Sequence, residues 1–415
     1  MRPDRTAGLL ALALAGLVCA PACAQSDSLH GRIELQEAGL FARNDSLIQA
    51  AGGDVSNDLS GNLRLTWEPS RGPWSLSVQY LIAFEIGPEA RLTHEQAALP
   101  PAPPATLFDL TGRLADHGQL IASQGIDRLA VTYSTPDLVV RVGRQALTWG
   151  SGLVFRPMDL FDPFSPSATD TEYKPGADMV YAQWLFQDGS DLQAVIAPRA
   201  ERAGETPTAN ASSFALHLHT TLADHQTTWL IARDHGDVVV AAGLNGSLAG
   251  ATWNVELVPT FLDKGGTRVS ALANISDAVT LAGRNATVFA EYFHNGFGVT
   301  DRNASLSALP ADLSGRLARG QIFTLRRDYL AAGLTLEVSP LFTLSPTLIA
   351  DLNDASAFAL LAGTWSLADN VTLIAGAQAP MGPARTEYGG IPLAPGERLP
   401  SAPPAQVYVQ LRRYF

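Results

Sequence analysis

The sequence predicts an all-β fold: a single transmembrane antiparallel up-and-down β-barrel of about eighteen strands, with sixteen as the alternative count. Three observations lead there. Apolar and polar residues alternate with a period of two in segment after segment. The connections between those segments alternate between short and long. After the first twenty residues no apolar run reaches about 18 residues, which excludes a bundle of membrane-spanning helices.

The alternation is clearest from Trp74 to Glu85. Trp74, Leu76, Val78, Tyr80, Ile82 and Phe84 fall on one face, and Ser75, Ser77, Gln79 and Glu85 on the other. Leu63, Leu65 and Trp67 alternate in the same way with Asn62, Arg64, Thr66 and Glu68. Read along the chain, the pattern places strands at 29–40, 59–68, 74–85, 128–134, 138–148, 178–186, 191–199, 213–222 and 225–234. It places further strands at 237–243, 248–260, 268–276, 279–293, 323–338, 341–351, 357–366, 371–379 and 404–415.

Two turns permit a register check. Folding at Ala223-Asp224 sets Leu218 against Trp229 and Leu216 against Ile231, so the apolar faces coincide. Asn245-Gly246 is a strong two-residue turn signal, and folding there sets Val240 against Ala251 and Val238 against Trp253. The remaining short connections are Pro69–Pro73, Thr135–Asp137, Gln187–Ser190, Ser339-Pro340 and Leu367–Asn370. Every long connection belongs to the alternate set: 41–58, 86–127, 149–177, 294–322 and 380–403. A soluble sandwich has no reason to sort its connections by length, whereas a membrane barrel has short turns at one end and long loops at the other.

Hydrocarbon offers no water to backbone N–H and C=O groups, so such a sheet closes on itself. A barrel of 16 to 18 strands encloses an aqueous channel unless loops fold into it. By parity the inward side chains include Arg64, Glu68, Gln79, Glu85, Arg128, Arg141, Gln145, Gln183, His217, His219, Asn254, Glu256, Glu291, Arg327 and Glu337. Their charges are mixed, which leaves the ion selectivity open. The net charge of −12 argues against a nucleic-acid partner, since binding a polyanion needs a basic face.

At the N-terminus Arg2 and Arg5 precede an apolar stretch from Ala7 to Val18 and then Ala22-Cys23-Ala24. That order reads as a cleaved signal peptide over residues 1–24, cut between Ala24 and Gln25, with the barrel over 25–415. The apolar stretch is too short to cross about 30 Å of hydrocarbon as an anchor. A lipoprotein signal at Cys23 lacks the leucine usual three positions earlier. Both cysteines, Cys19 and Cys23, fall in the leader, so the mature chain offers neither a disulfide framework nor a thiolate metal site. At the other end Val407, Val409, Leu411 and Phe415 share a parity. This resembles the C-terminal signal that outer-membrane barrels present to their assembly machinery, with Arg413 as a departure from its usual apolar pattern. The expected location is the bacterial outer membrane, reached through the Sec pathway.

Residues 141–163 include Gly143, Arg144, Gln145, Trp149, Gly150, Gly152, Pro157, Asp159, Phe161 and Pro163. This run is similar to one in porin-like outer-membrane barrels, including the alginate-export-type family, where a strand carrying Gly-Arg-Gln runs into Trp-Gly and a loop with Pro, Asp and Phe. The resemblance covers about twenty residues and implies a porin-like barrel of about eighteen strands; it says little about cargo. An acidic chain does not suit the strongly basic pore expected of an alginate exporter. Two placements of the loop 149–177 are open. In one it folds into the lumen and narrows it, with Trp149, Arg156, Asp159 and Asp162 at the constriction; in the other it packs on the outer surface. Arg144 has lipid-facing parity, so it belongs at the headgroup rim or follows a bulge at Gly143.

His217, His219 and His225 approach a metal-site pattern, but no cysteine and only Asp224 completes it. No Gly-x-Ser-x-Gly elbow or phosphate-binding loop is present, so neither an enzyme nor a cofactor is expected. The proline-rich stretch Leu99–Pro104 reads as a stiff surface loop. The function these observations imply is a channel for small solutes, with outer-membrane lipid and the assembly machinery as partners. The alternative is a non-conducting barrel serving as a receptor or as part of an export or assembly complex.

Overall fold

A computed structural model of the chain describes residues 29–96, 106–202, 205–302, 304–395 and 400–415. Residues 1–28, which hold the expected leader with Cys19, Cys23 and Ala24 and the expected first mature residue Gln25, and the stretch Leu99–Pro104 lie outside the described residues.

Eighteen long strands form the wall. In chain order they are β1 (Leu29–Phe41), β2 (Val55–Trp67), β3 (Trp74–Ile86), β4 (Leu120–Ser134), β5 (Leu138–Gln145), β6 (Ala177–Leu185), β7 (Asp191–Ala197), β8 (Ser213–Leu222) and β9 (His225–Asp234). They continue with β10 (Asp237–Leu248), β11 (Ala251–Phe261), β12 (Thr267–Leu281), β13 (Arg284–His294), β14 (Asp328–Ser339), β15 (Phe342–Asp351), β16 (Ser356–Ala368), β17 (Val371–Met381) and β18 (Ala405–Tyr414). Each pairs antiparallel with the next, and β18 pairs with β1, so the eighteen-stranded wall closes on itself. The closure register sets Leu35 against Leu411 and Gly39 against Val407.

Outward faces carry the apolar series, for example Leu65, Val142, Ile231, Leu257 and Leu361. Of the seven tryptophans, six (Trp67, Trp74, Trp184, Trp229, Trp253 and Trp365) lie towards the turn end of their strands on the outward face. Indole rings prefer the boundary between hydrocarbon and water, so this belt marks one edge of the lipid-facing band. The seventh, Trp149, is inside the barrel.

The connections follow the expected segregation. Long segments 42–54, 87–119, 146–176, 198–212, 295–327 and 382–404 share one end, together with the shorter 235–236, 262–266 and 352–355. Ala223-Asp224 turns as expected, with Leu218 opposite Trp229 and Leu216 opposite Ile231.

Two turns differ from the sequence reading. Asn245-Gly246 lies within β10, and the chain reverses at Ala249-Gly250, whose φ values of 52° and 97° are both positive. Gly246 instead sits opposite Trp253, where a Cβ would strike the indole ring. The displacement is four residues on each strand, so the apolar faces still coincide and parity alone could not detect it. Likewise β12 runs on to Leu281 and turns at Ala282-Gly283, past the break read near residue 277.

β4 is longer than expected because its alternation reverses at Asp127. Gln79 pairs with Arg128 and Tyr80 with Ile126, leaving Asp127 as a bulge. Arg327 lies before β14 at the loop end, exposed, donating from Nε to the Gly298 carbonyl at 2.9 Å; it is not on a strand.

Candidate functional site

The loop 146–176 enters the lumen, and its two halves are held by opposite chemistry. Its first half is gripped through its backbone by carboxylates. Glu256 of β11 accepts from the Ser151 N–H at 2.5 Å and the Ser151 hydroxyl at 2.8 Å. Glu291 of β13 accepts the successive N–H groups of Leu153, Val154 and Phe155 at 2.6, 2.9 and 2.8 Å, and Asn274 donates to it at 3.0 Å. Three amides can converge on one carboxylate only if the chain turns sharply. Gly150 adopts φ 91°, and a Cβ on Gly152 would overlap the Phe155 carbonyl.

The second half is gripped through its side chains by arginines. Arg32 of β1 donates to Asp170 at 2.7 Å and to Glu172 at 2.8 Å. Arg412 of β18 reaches the same two acids at 3.1 and 3.3 Å, and Glu34 at 2.9 Å. The Tyr173 ring lies under both Arg32 and Arg64, at 4.7 and 4.3 Å from the guanidinium carbons. Arg64 also donates to Gln79 at 2.9 Å and to Asp127 at 2.5 Å. Arg128 pairs with Asp127 and donates to the Lys174 carbonyl. The parity reversal at Asp127 therefore brings an acid and a base into the lumen from adjacent positions.

Between these anchors the loop packs an apolar core against the wall. Trp149, Met158, Leu160 and Phe161 pack with Val195, Ala215, Leu230, Ala232, Val239, Ala241 and Val258 of β7–β11. Trp149 stacks on His217 with centroids 4.9 Å apart and donates to Gln193 at 2.7 Å. Full burial of each such anchor contributes about 1.5–3 kcal/mol. On this side the loop-end half of the lumen is filled by an apolar plug.

The opposite side is open. A cavity of about 850 Å³ lies between the loop and strands β12–β18. Hydroxyls of Thr287, Thr335, Ser345, Thr347, Thr364 and Thr372 line it, with Phe289 and Ile374 among the apolar patches. Its charged lining side chains are Arg156 and Arg412. A second cavity, about 290 Å³, opens towards the loop end beside Phe323, Phe358, Glu387 and Tyr388. Both volumes touch Ser165, Pro166 and Ser167's neighbourhood, with Ser165 and Pro166 common to the two. The wall they share is therefore part of the loop itself.

The residues singled out from sequence fall into distinct places. Arg156 is half-buried beside the larger cavity, over the Phe164 ring. Asp159 faces no cavity: its side chain is 0% exposed and bonds Lys174 Nζ at 2.6 Å. Asp162 is half-buried with φ 52°. Arg64, Arg128, Glu256 and Glu291 hold the loop. Arg141 donates to Thr132 at 3.1 Å, and Gln145 donates to the Met179 carbonyl at 3.2 Å. Glu85 lies near the loop end of β3. Arg144 faces outward near the loop end, buried, in a pair with Asp178 at 2.9 Å that the backbone N–H groups of Leu107 and Phe108 complete. His225 lies against Trp253, apart from His217, which stacks on Trp149. Phe415 exchanges backbone hydrogen bonds with Gly31 at 2.8 and 3.0 Å. Sequence reading missed Asp127, Asp170, Glu172 and Lys174. Their roles depend on where the loop lies, and strand parity does not reach into loops.

No family model and no curated protein sequence matches the chain. Solved structures do. OccAB2 of Acinetobacter baumannii superposes with a TM-score of 0.53 at 9% identity, covering 94% of this chain and 97% of that one. OpdQ of Pseudomonas aeruginosa gives 0.52 at 9% identity, with 94% and 98% covered. A BenF-like porin from Pseudomonas fluorescens Pf-5 gives 0.50 at 9% identity, again with 94% and 98% covered. At this identity the likeness concerns the fold: the chain is a porin-like barrel of eighteen strands.

Proposed function

We propose that the chain is an outer-membrane channel through which small solutes diffuse, its route running along the β12–β18 side of the lumen. One observation carries the reading: the inward loop seals one side of the barrel with an apolar plug but leaves a cavity of about 850 Å³, rich in hydroxyls, on the other. Hydroxyl walls exchange hydrogen bonds with a passing hydrated solute without binding it tightly, which suits conduction. The porin-like fold of the solved structures supports the same reading. It assigns the chain no catalytic step. Residues 1–24 act in this reading as a Sec signal, and β18 together with Phe415 beyond it is what the assembly machinery engages. The likeness of Gly143–Pro163 to alginate-export-type barrels is read as a shared way of placing a loop, without the same cargo, because the chain is acidic.

Arg156 is the charged loop side chain that lines the larger cavity, so it sets the local potential there. Purified mature protein in planar bilayers is expected to give steady open currents. Replacing Arg156 by Glu is expected to shift the reversal potential in a KCl gradient towards cations, lowering the anion-to-cation permeability ratio severalfold. An unchanged reversal potential would take Arg156 off the route. Silence at every voltage, pH and salt tested would overturn the channel and favour a receptor or assembly role.

A further inference from the structure

The plug has an underside. Between it and the turn-end halves of β7–β11 lies a separate recess of about 340 Å³, lined by Trp149, Ser151, Asp191, Gln193, His217 and Glu256 among others. The larger cavity shares none of those side chains. Its charged lining is wholly acidic, Asp191 and Glu256, with neither lysine nor arginine on the wall. The larger cavity has the reverse sign, with Arg156 and Arg412 and no carboxylate.

Two polar atoms in the recess are buried without a hydrogen-bond partner among the described residues: Glu256 Oε2 and His217 Nδ1. Glu256 is 4% exposed and His217 6%. Glu256 spends its other oxygen, Oε1, on Ser151, so Oε2 is the free half of a fixed carboxylate. A buried carboxylate oxygen without a donor costs about 1–3 kcal/mol or more, and a ligand that brings N–H groups removes that cost. Asp191 is held in place by Gln183 and Gln193, which donate to its Oδ1 at 3.1 and 2.8 Å, while Oδ2 lies 3.5 Å from His219 Nδ1. Trp149, Met158 and Leu244 supply apolar wall beside these acceptors.

We propose that this recess binds a small organic ammonium, its N–H groups donated to Glu256 Oε2 and Asp191 and its alkyl part laid against Trp149 and Met158. Among the described residues no three His, Cys, Asp or Glu side chains come close enough to hold a metal ion, so the donor set fits a spread, hydrogen-bonding cation better than a compact one. The site lies off the conducting route and does not rest on the chain being a channel.

The test is isothermal titration of the refolded, detergent-solubilised barrel with butylammonium chloride, with sodium butyrate and zinc chloride as comparison ligands. Butylammonium is expected to bind saturably and butyrate not at all. Glu256→Gln and Asp191→Asn are each expected to weaken binding by about tenfold or more, the loss of a charged hydrogen-bond acceptor. Glu256→Gln also touches the loop anchor, whereas Asp191→Asn leaves Ser151 and its contacts intact and so isolates the ligand contribution. Absence of butylammonium binding, binding indifferent to both substitutions, or preferential zinc uptake would each overturn the assignment.

Discussion

Lys174 and Asp159 form an ion pair that the lumen hides from water. Lys174 Nζ donates to both carboxylate oxygens at 2.6 and 2.8 Å and to the Leu147 carbonyl at 2.5 Å. Burial pushes the Asp159 carboxyl up to about 6 and the Lys174 ammonium down, each opposed by the attraction of its partner. Desolvation thus offsets much of the Coulomb energy, and such a pair contributes more to position than to stability. The pair ties residue 159 to residue 174 and closes the loop on itself. We expect Lys174→Met alone to cost about 3–5 kcal/mol by leaving a buried carboxylate uncompensated. The double change Lys174→Met with Asp159→Leu is expected to recover most of that loss. Urea unfolding of the three proteins in detergent micelles checks this. A double variant as unstable as the single one would mean that the pair is not the source of the cost.

Among the elements, the strands were legible in the sequence and the loops were not. All eighteen strands appear where alternation placed them, because a membrane barrel imposes one rule, apolar outward and polar inward, on every residue of its wall. Errors arose where that rule is silent. A shift of four residues keeps parity, so Asn245-Gly246 passed as a turn. The bulge at Asp127 reverses parity, so residues 120–127 did not read as strand. The placement of the loop 146–176 is fixed by partners more than a hundred residues distant, Glu256, Glu291, Arg32 and Arg412, and no local pattern announces them. The loop 382–404 is likewise fixed by non-local partners, 58 to 62 residues away. Its Glu387 accepts from the Leu325 and Arg326 N–H groups, each at 3.1 Å, and from the Tyr329 hydroxyl. Burial pushes the Glu387 carboxyl up to about 7, and the neighbouring Asp354 adds to the rise. A carboxyl whose folded value lies above its unfolded one binds its proton more tightly while the loop is docked. Docking is then strongest below pH about 4.5 and weakens as pH rises through about 7, by about 3 kcal/mol at most. Amide exchange in residues 382–395, corrected for intrinsic rates, is expected to quicken between pH 5 and pH 8. Glu387→Gln is expected to flatten that dependence. Equal protection at both pH values in the unmodified protein would reject the linkage.

Across the whole molecule, the loop divides one wide cylinder into two unlike sides. A barrel of eighteen strands is broad enough for an aqueous channel. Here β6–β11 face an apolar core of the kind found inside soluble domains, and β12–β18 face solvent-sized space. The division makes a prediction about access that follows from the position of each wall residue, whatever the solute. Both native cysteines precede residue 25, so in protein produced from Gln25 onward a thiol placed in the wall is the sole reactive one. Thr347→Cys on β15 and Thr364→Cys on β16 put that thiol in the larger cavity, while Ala241→Cys on β10 puts it inside the plug. A cationic methanethiosulfonate reagent is expected to label the first two in the folded barrel and to lower their current. The third is expected to react only after unfolding in urea. Labelling that ran at one rate all round the wall would mean that the loop does not seal its side, and the route along β12–β18 would lose its basis.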